Sequence, residues 1–277
     1  ILSRHERRQI FDLFEKKYYE NNFIEIKNNV HKKVTGLKSS DSCLVNLNHP
    51  GIIIVGPYQG SIKDLKEFNN ALEKIQDLSG WPIFADPCSG VDLNIRGIID
   101  NWELIISNKN NSIKCDQLLR LGPMTSSNYL EEFLNEFKGK QILIKERDSR
   151  SLDPLKKTIE YEFGLNQYIN QLLVKNEFKL LENVPLIPLA KELMHEGHKI
   201  KRIFKKEYLK SNKITEFSLA NCVPRLWPEH HPIMLSASSP IRDWLTFSEN
   251  KTLSRKCFSF RGASGIDGTL SLALGIS

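Results

Sequence analysis

The chain has 277 residues, 40% of them apolar and 26% charged, which is the balance of one or two folded domains and excludes a disordered or fibrous chain. No run of 18 apolar residues occurs, so no membrane-spanning helix is expected. Lys and Arg number 39 against 33 Asp and Glu, a net charge of +6. The basic residues are interleaved with acids, as in Lys199–Glu207, which argues against a nucleic-acid footprint and suits a small anionic substrate.

In chain order, Ile10, Phe14 and Tyr18 lie four apart and predict a helix over 8–27. The polar stretch Lys38–Ser42 reads as a linker. From Pro50 a strand–helix rhythm begins. Ile52–Val55, closed by Gly56-Pro57, reads as a buried parallel strand. Ser61–Leu78 follows as an amphipathic helix with Leu65, Phe68, Leu72 and Ile75 on one stripe. Ile83–Ala85 is a second strand, and 96–107 reads as helical. Gln117–Leu121 is a third strand, closed by Gly122-Pro123. Thr125 or Ser126 would cap a helix running to Phe137. Gln141–Ile144 is a fourth strand, and Lys157–Glu162 a fifth, followed by a helix to Leu173. Strands alternating with helices of this length imply parallel βαβ units in a doubly wound, Rossmann-like α/β sheet over 44–176, after an N-terminal helix and linker at 1–43.

Residues 177–277 begin as a linker and lead into a second α/β unit. An apolar helix starts at Leu189, and another covers Thr215–Leu226. His231–Ser236 reads as a strand, Pro240–Phe247 as a helix, Lys256–Phe260 as a strand and Ile266–Ile276 as a helix.

Several motifs invite chemistry. His195-Glu-Gly-His198 has i, i+3 spacing rather than the i, i+4 of a zinc-protease helix, and reads as a helix end. His230-His231 lies in a Pro-rich turn and reads as exposed. Gly56–Ser61 sits between a strand and a helix, where open α/β sheets bind ligands. It lacks G-x-G-x-x-G, and Pro57 removes a backbone donor, so it reads as an ordinary turn. The five cysteines, Cys43, Cys88, Cys115, Cys222 and Cys257, are far apart with no C-x-x-C pair, and read as reduced, buried thiols of a cytoplasmic protein. Ser238-Ser-Pro-Ile-Arg242-Asp243 follows a strand. Ser238 would hydrogen-bond or cap, and Arg242 would place a cation in the first helical turn, against the helix dipole. That position suggests an anionic partner, either a buried Asp or a substrate carboxylate. Arg261-Gly-Ala-Ser-Gly-Ile-Asp-Gly268 is the sharpest signal. Its glycines permit positive φ and close ligand approach, and Arg261 is suited to clamp a carboxylate. A glycine-packed strand–helix junction would give the same pattern.

Four blocks in order resemble one family. Arg261–Gly268 is similar to the R-G-A-S-G-I-D-G block of the thiamine-diphosphate-dependent 2-succinyl-5-enolpyruvyl-6-hydroxy-3-cyclohexene-1-carboxylate (SEPHCHC) synthases, MenD. Gly80-Trp-Pro-Ile-Phe-Ala-Asp-Pro-Cys-Ser-Gly90 resembles that family's G-W-P-L-x-A-D-P-x-S-G. Leu121–Met124 resembles its L-G-P-M turn, and Ser238-x-x-x-Arg242-Asp243 its N-S-x-x-x-R-D. The resemblance implies a pyrimidine-binding domain, a central Rossmann-like domain and a pyrophosphate-binding domain. This chain would supply the central domain and the start of the third, and would be inactive alone as a piece of a larger enzyme. It implies decarboxylation of 2-oxoglutarate on thiamine diphosphate and 1,4-addition of the succinyl carbanion to isochorismate, in menaquinone or phylloquinone biosynthesis. Mg²⁺ and the diphosphate would be held by a motif beyond Ser277, and the parent would be a homodimer or homotetramer with no nucleic-acid or membrane partner.

Carried over by position, Arg242 and Arg261 would bind substrate carboxylates, and Ser238 would hydrogen-bond substrate or intermediate. Gly262, Ala263, Ser264 and Ile266 would face the cofactor, with Ile266 as its apolar buttress. Two positions depart from the pattern. Ala237 stands where the family usually has Asn, and Asn128 where many members have a substrate-contacting Lys. The alternatives are another thiamine-diphosphate-dependent decarboxylase or lyase, and a non-catalytic α/β binding module.

Overall fold

The computed structural model describes residues 43–108, 113–146, 148, 150, 152–175, 184–207, 214–228, 231–248, 257–260 and 267–276. All of them belong to one compact unit, Val34–Ser277. The helix expected over 8–27 lies outside the described residues.

Five strands form a wholly parallel sheet: β1 (Gly51–Val55), β2 (Ile83–Ala85), β3 (Gln117–Leu121), β4 (Lys140–Ile144) and β5 (Ile159–Tyr161), in the order β2-β1-β3-β4-β5. The register places Ile53 opposite Ile83 and Leu119, and Leu119 opposite Ile142. Side chains alternate between faces along each strand, so every strand must be apolar on both sides if helices cover both faces. Ile53, Val55, Leu119, Leu121, Ile142 and Ile144 face α1 (Leu65–Ser79) and α4 (Leu165–Lys175), packing on Leu72, Ile75, Tyr168 and Leu172. Ile52, Ile54, Phe84 and Leu118 face α2 (Trp102–Ser107) and α3 (Asn128–Glu136), packing on Trp102, Ile105, Leu130 and Leu134. The Phe84 ring stacks on Trp102 with centroids 5.3 Å apart and an interplanar angle of 9°. The doubly wound sheet is therefore as expected.

The boundaries differ in places, each for a local reason. A 3-10 turn, Ile62–Asp64, precedes α1, and Gly80 at φ +64° ends it by donating its N–H to Gln76 O at 2.7 Å, the left-handed stop that glycine permits. The helix expected over 96–107 starts only at Trp102, because Asn101 takes a left-handed φ of 51°. Ser127, not Thr125 or Ser126, caps α3: its Oγ accepts from Leu130 N at 3.2 Å.

Two buried charge clusters are anchored on β3 and at the end of β4. Arg120 on β3 pairs with Asp153 at 3.0 Å, both almost fully buried. Burial alone would push the Asp153 carboxyl up, but the Arg120 charge and the hydrogen bonds it accepts hold it below its usual range. Lys145, fully buried just after β4, bonds to Glu160 at 2.9 Å, Glu162 at 3.1 Å and Arg150 O at 2.7 Å. Such pairs contribute little against an apolar alternative but are costly to half-remove.

The chain then forms α5 (Pro188–Glu207), α6 (Glu216–Leu226), β6 (Ile233–Leu235), α7 (Ser239–Phe247), β7 (Cys257–Ser259) and α8 (Thr269–Ile276). β6 and β7 pair in parallel as a separate two-stranded sheet, Leu235 opposite Ser259. Its core is small: Ile233, Leu235, Ile241 and Trp244. Leu193 of α5 and Leu245 of α7 join the core on the α2/α3 face of the large sheet. Thr215 caps α6 through a reciprocal box, accepting from Ser218 N at 3.2 Å while donating its own N–H to Ser218 Oγ at 2.9 Å. Among the described residues no helix is long and apolar enough to cross a membrane.

Candidate functional site

The β6–α7 junction carries the described site residues. β6 ends at Leu235, and three residues later Ser238 adopts φ +72°, ψ −127° at the N-terminus of α7. That conformation is strained for a residue with a Cβ, and such strain concentrates at functional sites. Ser238 does not cap the helix. Its Oγ instead accepts from Arg242 Nη2 at 3.3 Å, one turn along the same face. Both side chains are exposed. Of the two partners expected for Arg242, the buried Asp is not found: no carboxylate among the described residues lies within ion-pair distance of it. A guanidinium in the first turn of a helix, beside the positive end of the dipole, favours an external anion. Asp243, the next residue, is pushed up by burial and by the Glu216 charge, against the pull of Arg242.

Sequence reasoning missed how α7 is held. Asn101 Nδ2 donates to Thr246 O at 2.6 Å, and Asn221 Nδ2 to Phe247 O at 3.0 Å. The Thr246 hydroxyl lies between the Glu103 carboxylate and Arg242 O. The end of α7 opposite Ser238 is thus tied to the start of α2 and to α6. The one available clue was Asn101 just before an apolar stretch, a pattern of helix starts.

The sharpest sequence signal falls elsewhere. Arg261, Gly262, Ala263, Ser264 and Ile266 lie outside the described residues. What the fold does show is topology. β6 and β7 are parallel neighbours, so Phe260 leaves the sheet at the same end as the chain leading to Ser238.

Gly56–Ser61 lies beside Gly122-Pro123 where the order turns from β1 to β3, the switch point of an open sheet. A methyl group on Gly56 would overlap Pro123 O, so only glycine lets these two turns meet. A crevice of about 410 Å³ opens there, lined by Pro57, Gly60, Cys88, Pro123, Cys257 and Phe258, among others. The His195–His198 motif is not a helix end: it sits inside α5, with both imidazoles exposed and Gly197 against Asp100 O. Among the described residues no group of three or more His, Cys, Asp or Glu could hold a metal ion. His230 lies outside the described residues, and His231 is exposed as expected. Of the five thiols Cys43 is buried, while Cys88, Cys115, Cys222 and Cys257 are half-buried, and none is in a disulfide. Asn128 is the exposed first residue of α3.

No family profile matches the chain. Individual relatives do. It is 56% identical over 276 residues to a SEPHCHC synthase of Prochlorococcus marinus (strain MIT 9515), covering 100% of this chain and 47% of that protein. Against the enzyme of the same name from strain MIT 9301 the identity is 55% over 275 residues, covering 98% and 46%. Against that from strain NATL2A it is 42% over 238 residues, covering 82% and 38%. The chain spans about half the length of the curated relatives it matches. These identities, over 98–100% of this chain, establish that it belongs to the SEPHCHC synthase family.

Proposed function

We propose that the protein carrying this chain joins 2-oxoglutarate to isochorismate, releasing CO₂ and forming SEPHCHC, as a transferase of menaquinone or phylloquinone biosynthesis in the cytoplasm. The observation that carries this reading is Arg242, an exposed guanidinium in the first turn of α7 with no carboxylate of its own among the described residues. Both substrates are dicarboxylates, so a site for them needs fixed cations. Arg242 offers charge-assisted hydrogen bonds to one carboxylate. Ser238 Oγ, by accepting from Arg242, keeps its own O–H free to donate to substrate. Arg261 is the second carboxylate contact in this reading.

Thiamine diphosphate, when bound, supplies the electron sink for decarboxylation. Gly262, Ala263, Ser264 and Ile266 are its proposed neighbours in this chain, and Mg²⁺ with the diphosphate is assigned to residues outside it. The part we assign to Ser238 and Arg242 is to bind and orient substrate. We assign 44–176 as the central domain and 177–277 as linker and first part of the pyrophosphate-binding domain. Leu270 of α8 is 72% exposed, apolar surface open to burial against another part of the protein or, in the homodimer or homotetramer of this reading, another copy.

The test is substrate kinetics on the intact protein. Arg242→Ala is expected to raise KM or lower kcat/KM for 2-oxoglutarate or isochorismate, and Arg242→Lys to restore part of the loss. Unchanged constants for both substrates would remove Arg242 from the site.

A further inference from the structure

Two thiols far apart in sequence meet where the small sheet approaches the large one. Cys88 sits in the turn after β2, which is fixed on both sides: Cys88 N donates to Asp86 Oδ1 at 2.8 Å, and Cys88 O accepts from Tyr58 N at 3.0 Å. Cys257 opens β7 opposite Ile233 of β6. Both pack against the Ile233–Leu235–Ile241–Trp244 cluster, both line the 410 Å³ crevice, and Cys88 lies close enough to push the Cys257 thiol up. The other cysteines lie elsewhere. Cys43 is at the buried start of the described chain, where its carbonyl accepts from Tyr168 OH, and Cys115 packs on the α2/α3 face.

We propose that Cys88 and Cys257 form a redox-active dithiol, which a small-molecule disulfide of the glutathione class oxidises to an intramolecular disulfide tying the turn after β2 to β7. The exchange balances. Cys88 Sγ, as thiolate, attacks one sulfur of the small disulfide, whose S–S bond breaks and releases one thiolate. Cys257 Sγ then attacks Cys88 Sγ and releases the second. The protein dithiol loses two electrons, the small disulfide gains them, and the two cysteine protons end on the two released thiols.

The surroundings set the order of the two steps. The Cys257 thiol is held protonated by its hydrogen bond to Cys88, by burial, and by the charges of Cys88 and Asp86. A thiol held protonated is the poorer first nucleophile, so Cys88 leads and Cys257 resolves. Because β7 runs into Arg261, the bond would fix the strand that precedes a proposed substrate contact. The dithiol itself rests on the packing of the two side chains and not on the enzymatic reading.

The test is thiol mapping on the intact protein. The protein is equilibrated across graded ratios of oxidised to reduced glutathione, quenched with N-ethylmaleimide, digested without reduction and analysed by mass spectrometry. One linked peptide pair joining Cys88 to Cys257 is expected, both thiols leaving the alkylated pool together while Cys43, Cys115 and Cys222 stay in it. Cys257→Ser should instead accumulate glutathione on Cys88, and Cys88→Ser should abolish the linked pair. Independent glutathione adducts on wild-type Cys88 and Cys257 with no linked pair would overturn the proposal. So would full alkylation of both at every ratio, and the wild-type result decides even if a variant fails to fold.

Discussion

The five-stranded sheet and the two-stranded sheet share one compact unit but are built differently. The larger is closed on both faces by helices, and its strand side chains are almost wholly buried. The smaller has three-residue strands over a four-residue core. It depends on neighbours: Leu245 of α7 packs into the large core, and Asn101 and Glu103 hold Thr246. The contrast teaches a division of labour. The large sheet holds the fold, and the small one presents strained, exposed polar groups that a rigid neighbour keeps in place.

The comparison can be broken most readily in the large core. Phe84→Ala removes a fully buried ring stacked on Trp102, and should lower the unfolding free energy by about 3–5 kcal/mol in a denaturant titration. Asp153→Asn leaves Arg120 buried without its counter-charge, and breaking such a pair costs about 3–5 kcal/mol. This pair also sets a pH dependence. The folded Asp153 carboxyl is held below its unfolded value, so its contribution is present above about pH 4 and is lost as pH falls through the lower, folded value. Wild type should therefore lose stability on acidification more steeply than Asp153→Asn. Equal slopes would show that the pair does not work as described.

The proposed substrate contacts should respond in the opposite sense. Arg261→Ala in the intact protein is expected to cut kcat/KM for isochorismate or 2-oxoglutarate by about 10²-fold or more, as loss of a charged contact worth roughly 2–5 kcal/mol, with little change in Tm. A large fall in Tm with retained kcat/KM would assign it to the fold. At the small end, Thr215→Ala removes the cap of α6 and should cost about 1 kcal/mol in thermal unfolding.

Most of the large sheet was legible in sequence because each buried parallel strand is a continuous apolar run ended by a strong stop. Ile52–Val55 before Gly56-Pro57 and Gln117–Leu121 before Gly122-Pro123 are cases in point. The strand read over His231–Ser236 pairs only over Ile233–Leu235, and the one read to Phe260 pairs only to Ser259. What stayed hidden was pairing at a distance. Asp153 lies 33 residues from Arg120 and Asn101 145 residues from Thr246, separations that carry no periodic signal. Cys88 and Cys257 read as isolated thiols for the same reason, because cysteine spacing does not reveal connectivity. Part of the candidate site was visible, because Ser238 and Arg242 have the four-residue spacing that places two side chains on one helix face. The unusual φ of Ser238 was not, since serine has no particular preference for it.

The most direct test is a stoichiometric assay. The intact protein is incubated with thiamine diphosphate, Mg²⁺, 2-oxoglutarate and isochorismate, while CO₂ release and isochorismate loss are followed together. One CO₂ released per isochorismate consumed, with both rates falling together in Arg242→Ala, is the expected result. CO₂ release that proceeds without consuming isochorismate, or no turnover of either substrate, would contradict the proposed function.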